Sequence, residues 1–213
     1  MPAGTAEAMP SPKSGVPVHG WRWQADRGWL RRGATAGDDG AFPARYIRVM
    51  YQFDIAAGSK AELYHDLQAA LDALTAGEAD AIANMANAAA LIGQYLPDLN
   101  WSGFYRMVEG ELVLGPFQGK AACIRIPVGK GVCGAAVATG ETQRVDDVHA
   151  FPGHIACDAA SRSELVVPIV HDGQILGVLD LDSPMPGRFD AEDQAGCEAL
   201  MTLLAPRLAG AAG

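Results

Sequence analysis

Two hydrophobic periods alternate along the chain from Ser59 onward, and their order predicts the fold. Leu63, Leu67, Ala70, Leu71 and Leu74 recur at helical spacing behind Ser59 and Glu62, an S-x-x-E capping box that satisfies amides left open at a helix start. Gly77 ends that helix, and a second pattern runs from about Glu78 to Leu96, where Pro97 stops it. The small faces of "AIANMANAAALIGQYL" suit close packing on a neighbouring helix. The pattern then turns strand-like. "WSGFYRMV" and "ELVLGPF" flank Glu109-Gly110 as a hairpin, and "AACIRIPV" follows as a third strand, with Cys123 at its start. "GVCGAAVATG" (131–140) reads as a short helix, "QRVDD" as a brief strand, and 146–162 as mostly loop. "ELVVPIVHDGQILGVLDLD" is a second hairpin with Asp172-Gly173 as its turn, and a last helix spans about Asp190 to Leu208. This order predicts an α+β domain, a central antiparallel sheet with helices packed mainly on one side.

Residues 1–49 do not share this organisation. "MPAGTAEAMPSPKSG" and "GATAGDDGAFPA" are too poor in apolar residues to bury a core. "GWRWQADRGWLRR" between them mixes three tryptophans with four arginines but shows no helical or strand period. A stacking patch for nucleic acid or membrane is the functional alternative, and a disordered tail is favoured over it. A start of translation at Met50 is the third reading. The division is therefore 1–49, a disordered or mis-started extension, and 50–213, a folded domain.

Charge narrows the range of partners. Residues 1–49 hold seven Lys/Arg against four Asp/Glu, leaving nine basic and 21 acidic residues in the remainder. An acidic body is a poor match for a phosphate backbone, so nucleic acid is not expected. A small cationic or zwitterionic molecule fits better. No apolar run approaches the roughly 18 residues of a membrane helix, and no secretory h-region opens the chain. Four cysteines without C-x-x-C spacing argue against a disulfide scaffold or a zinc knuckle. A cytoplasmic protein with reduced thiols is the expectation.

Two groups of residues carry candidate chemistry. Asp180 and Asp182 leave the same face of one strand, and Glu164 opens the partner strand. A strict two-residue turn sets Glu164 opposite Leu181, on the wrong face; a bulge, expected near Pro168, would bring the three acids together. The second group is the thiols. Cys157 lies among polar and small residues in "GHIACDAASRSE", an odd place for a core cysteine, with His154 and Asp158 nearby. Cys133 falls near a helix start, where the dipole favours a thiolate, and Cys197 reads as a small buried hydrophobe. His149 and His154 near Cys157 lack metal-ligand spacing, so no metal is expected. Neither "GPFQGKAAC" nor "PVGKGVCG" fits a phosphate-loop pattern.

"NWSGFYRM", "LVLGPFQGKAACIRIPVGKGVCG", "VDDVHAFPGHIACDAASRSELVVPI" and "GVLDLDSP" together resemble the free methionine-(R)-sulfoxide reductases, enzymes of the GAF fold, over about residues 50–208. The resemblance implies a GAF-like domain that reduces free methionine sulfoxide. It implies Cys157 as the attacking thiol, Cys123 as the main resolving thiol and Cys133 as a third cysteine. Trp101 and Tyr105 match the substrate-pocket aromatics, and Glu164, Asp180 and Asp182 the pocket acids, with Glu164 or Asp182 as the proton donor. It also implies a Cys123–Cys157 disulfide, no bound cofactor, and recycling by thioredoxin with NADPH as the ultimate reductant. Dimerisation is implied too, with helix 78–96 as a contact. A small-molecule-binding GAF module and a thiol redox sensor are the alternatives. No cyclic-nucleotide N-K-x-x-D-E motif is present, and no signalling domain is recognisable.

Overall fold

The computed structural model describes residues 21–24, 28–31, 53, 55, 58–153 and 159–209. The chain divides into two units, Met1–Gln52 and Phe53–Gly213. In the first, Trp21–Gln24 (β1) and Gly28–Arg31 (β2) pair antiparallel, with Trp23 opposite Trp29. The sequence shows no strand period there, because a two-stranded ribbon of four-residue strands is too short to express one.

In the second unit, α1 (Lys60–Thr75) begins at the expected capping box: the Glu62 carboxylate accepts from the Ser59 amide at 2.8 Å. α2 (Ala81–Tyr95) starts three residues later than its pattern suggests. Asp80 sets the start, accepting from the Ala83 amide at 2.9 Å. Then come β3 (Trp101–Val108), β4 (Glu111–Gly119), β5 (Arg125–Pro127) and α3 (Gly131–Thr139). They are followed by β6 (Gln143–Val145), a 3-10 turn at Val148–Ala150, β7 (Ser163–His171), β8 (Gln174–Ser183) and α4 (Ala191–Leu208). β5 is shorter than expected: Cys123 lies in the segment before it, not at its start.

The six strands order as β5-β4-β3-β8-β7-β6, and the pairings among them are antiparallel. Strand alternation sends Phe104, Leu165, Val167, Leu179 and Leu181 to one face, where they form a core with α1, α2 and α4. Each fully buried leucine there contributes roughly 2 kcal/mol. The alanine face of α2 is used within the chain, since Ala88 and Ala89 are completely buried in this core. Asp193 ties the helix layer together by accepting from Tyr64 Oη at 2.9 Å and pairing with Lys60 at 2.5 Å and Arg188 at 3.0 Å. Among the described residues no helix is long and apolar enough to cross a membrane.

The opposite face carries a smaller cluster under α3, with Trp101, Tyr105, Leu112, Val166 and Val178 facing Val132, Cys133 and Ala136. Two irregularities set what this face presents. In β3–β4 the register shifts between Gly103 and Tyr105, so Gly115 and Pro116 together oppose Phe104. In β7–β8 it shifts between Ile169 and Val170, two residues from the Asp172-Gly173 turn. The bulge is thus not at Pro168, which stays in register opposite Val178, beyond the reach of β6. β8 supplies the extra residue, Leu176, beside Gly177. A Cβ on Gly177 would stand 2.2 Å from the Tyr105 carbonyl oxygen and 3.0 Å from Arg106 Cα. A Gly177→Ala variant should therefore lose about 1–3 kcal/mol of stability, as overpacking against backbone does. Urea melts test this; a variant matching the parent would mean that the β3–β8 contact yields at no cost.

Candidate active site

The bulge at Leu176 brings the three acids together. With it, Asp182 sits between Trp101 of β3 and Glu164 of β7, and Asp180 between Gly103 and Val166. All of these side chains leave the sheet face under α3. Trp101 stacks on Phe117 with centroids 5.2 Å apart and on Tyr105 at 5.9 Å, making a continuous aromatic wall. Gly103 makes the wall possible, for a Cβ there would lie 2.3 Å from Phe117 Cβ and 2.6 Å from Trp101 Cη2. Sequence reasoning missed Gly103 and Phe117; a lone glycine in an aromatic strand is the signal for such close approach. A small recess is lined by Trp101, Tyr105, Lys120, Ala121, Asp180 and Asp182.

The aromatics also hold the segment that carries Cys123. Trp101 Nε1 donates to the Lys120 carbonyl at 3.1 Å, and Tyr105 Oη donates to the Cys123 carbonyl at 3.1 Å. Cys123 is half-buried and disulfide-bonded, while Cys133 and Cys197 carry free thiols. Cys197 is fully buried in α4 beside Tyr64, and burial pushes its thiol up to about 12, as befits a packing residue.

Burial decides the electrostatics. Glu164 and Asp180 are each only 6% exposed, and Cys133, on α3, 3%. Cys133 Sγ lies 3.9 Å from Glu164 Oε1. Burial, then the charges of Asp180 and Asp182, push the Glu164 carboxyl well above the usual range. Burial and Asp182 do the same to Asp180. Cys133 was expected to gain thiolate character from its helix start. The structure reverses that: burial, then Asp180 and Glu164, raise its thiol well above the ordinary value. Low dielectric and two carboxyls outweigh the partial charge at the end of a nine-residue helix.

Cys157 lies outside the described residues, as do His154 and Asp158. The chain on either side of them is anchored next to the acids. The Val148 amide donates to the Arg162 carbonyl at 2.9 Å, the Arg162 amide to the Ser183 carbonyl at 2.7 Å, and Asn100 Nδ2 to Ser161 Oγ at 3.0 Å. Ser161 and Ser183 therefore hold the return of this loop at the row that carries Glu164 and Asp182.

Comparison with known proteins gives this arrangement a family. Residues 82–209 match the GAF domain. The free methionine-R-sulfoxide reductase of Escherichia coli is 55% identical over 151 residues, 71% of this chain and 92% of that protein. The Saccharomyces cerevisiae protein of the same name is 44% identical over 154 residues, 68% of this chain and 86% of its own. The solved structure of free methionine-R-sulfoxide reductase from Neisseria meningitidis, in complex with its substrate, is 44% identical. It superposes with a TM-score of 0.73 over 76% of this chain and 97% of that one. A GAF-type sheet with this identity over 92% and 86% of the two curated relatives leaves one conclusion: the chain belongs to the GAF-domain family of free methionine-R-sulfoxide reductases.

Proposed function

We propose that the protein reduces free L-methionine-(R)-sulfoxide to L-methionine, and that Cys157 is the attacking thiol. The observation that carries the reading is the buried Glu164–Asp180 pair facing the Trp101 wall. Sulfoxide oxygen leaves only when protonated, and a carboxyl held neutral by burial and like charge is a proton donor at neutral pH. Glu164 is assigned that role because it is the more strongly surrounded: Asp180 and Asp182 both raise it. Asp182, half-buried at the recess, takes the substrate ammonium together with Asp180. Trp101 packs against the S-methyl group. A free amino acid offers that ammonium; a methionine within a peptide does not.

The atoms balance in two steps. The Cys157 sulfur takes the oxygen, the sulfoxide sulfur gains the electron pair, and methionine leaves a sulfenic acid behind. The Cys123 thiol then attacks that sulfur, forming the Cys123–Cys157 disulfide and releasing water. Of the four cysteines, Cys133 and Cys197 are free and Cys123 is disulfide-bonded, which supports this pairing. A thioredoxin-type dithiol, recharged from NADPH, restores both thiols by exchange in a reducing compartment such as the cytoplasm. Cys133, held as a neutral thiol by its neighbours, donates to Glu164 and keeps the carboxyl oriented.

Purified protein supplied with thioredoxin, thioredoxin reductase and NADPH should release methionine from the R epimer. It should leave the S epimer and N-acetyl-methionine sulfoxide untouched. Reduced, folded protein that turns over none of the three would remove the reductase reading and favour a binding module.

A further inference from the structure

We propose that Cys133, Glu164 and Asp180 form a binding site for a thiophilic divalent cation of the zinc class, and that the cation and the substrate exclude one another. The cation site stands on geometry alone; the exclusion rests on the function proposed above. Cys133 Sγ and one carboxylate oxygen each from Glu164 and Asp180 lie within 4.8 Å of one another. The Sγ–Oε1 separation is 3.9 Å. A tetrahedral zinc with bonds of about 2.3 Å to sulfur and 2.0–2.2 Å to oxygen sets its donors roughly 3.4–3.6 Å apart. The set therefore closes on a cation by end-of-side-chain movement, with no shift of the strands.

A second observation points to a ligand. Asp180 is 94% buried, yet its Oδ1 has no hydrogen-bond partner among the described residues. Buried carboxylate oxygens are rarely left so, because the missing bond costs the full desolvation of the group. A dication would satisfy it and remove the repulsion among three groups that all become negative on ionisation. One thiolate with two carboxylates is a mixed soft and hard set; it suits zinc and disfavours magnesium or calcium, which take oxygen alone. Three protein donors leave a fourth position open; of the three, Asp180 also lines the recess with Asp182 and Trp101. Binding releases the Cys133 proton, and any proton held by the carboxyls, to solvent. The three donors come from α3, β7 and β8, so no sequence motif announces them.

The test uses the full chain carrying Cys123→Ser and Cys157→Ser, which leaves Cys133 and Cys197 as its only thiols. Titration with cobalt(II) should give a thiolate-to-cobalt charge-transfer band saturating at one equivalent, and zinc should bleach it. Adding Cys133→Ser should abolish the band. Asp180→Asn, a near-isosteric change, should weaken cobalt binding by at least about tenfold, since loss of even a supporting partner of a metal ligand acts on that scale. A missing band, or one that survives Cys133→Ser, overturns the site. Free methionine should raise the cobalt concentration needed for half-saturation; cobalt affinity indifferent to methionine overturns the exclusion. Turnover with thioredoxin tests the reductase reading separately, so the two can fail independently.

Discussion

A Glu164→Gln variant should reduce free methionine-(R)-sulfoxide about 10²- to 10⁴-fold more slowly than the parent, the range that general acids supply. The amide keeps the shape and hydrogen bonds but has no proton to give the departing oxygen. The same variant should be the more heat-stable protein at neutral pH. Glu164 is raised above its unfolded value by burial and by Asp180 and Asp182. Its folded form therefore binds a proton more tightly than the unfolded chain does. The stability this confers is fully present below the ordinary carboxylate range, near pH 4, and is lost as pH rises through the folded value. Glutamine does not titrate, so its advantage in thermal scans should grow from about pH 4 upward and then level off. Parent turnover should fall on the alkaline side as Glu164 loses its proton, and that limb should vanish from the residual rate of the variant. A variant with parental turnover would move the proton donor elsewhere, to Asp180 first.

Replacing Cys157 with Ser should abolish methionine release altogether, because a hydroxyl is too poor a nucleophile toward sulfoxide sulfur and has no reversible oxidised form. Cys123→Ser should behave differently. Attack by Cys157 needs no second thiol, so one equivalent of methionine per chain should appear in a burst, followed by arrest under thioredoxin as the sulfenic acid accumulates. A dimedone adduct on Cys157, seen by mass spectrometry, would identify that species. Steady multiple turnover by Cys123→Ser with thioredoxin would instead assign resolution to another thiol. Cys133, beside Glu164, is the first candidate, but its surroundings oppose the thiolate that resolution requires.

In this chain a strand row pools the acids against an aromatic wall. Here that row depends on one unopposed residue. Without the bulge at Leu176, Glu164 would pair with Leu181 and point into the helix layer, away from Asp180 and Asp182. Deleting one residue near the Asp172-Gly173 turn would test how firmly the register is held.

From Ser59 onward the sequence by itself determined the elements and their order; the β1–β2 pair lies outside what its period showed. Capping boxes, the Asp172-Gly173 turn and the switch between helical and alternating periods are local signals, each decided within a few residues. The Ser59 box, α3 at 131–139 and both hairpins are found where those signals place them. The acids and aromatics were also legible, as polar ends of an apolar strand and as a motif. Only the tertiary structure decided where the bulge falls, because Gly177 is required by the approach of the Tyr105 backbone from another strand. Gly103 became part of the site for the same reason, through Phe117 of β4. Cys133 changed character for a different reason. Its helix start was visible in sequence, but the two buried carboxyls that raise its thiol come from β7 and β8. Electrostatics in a buried pocket are set by what surrounds a group in space, and that surrounding is long-range in the chain.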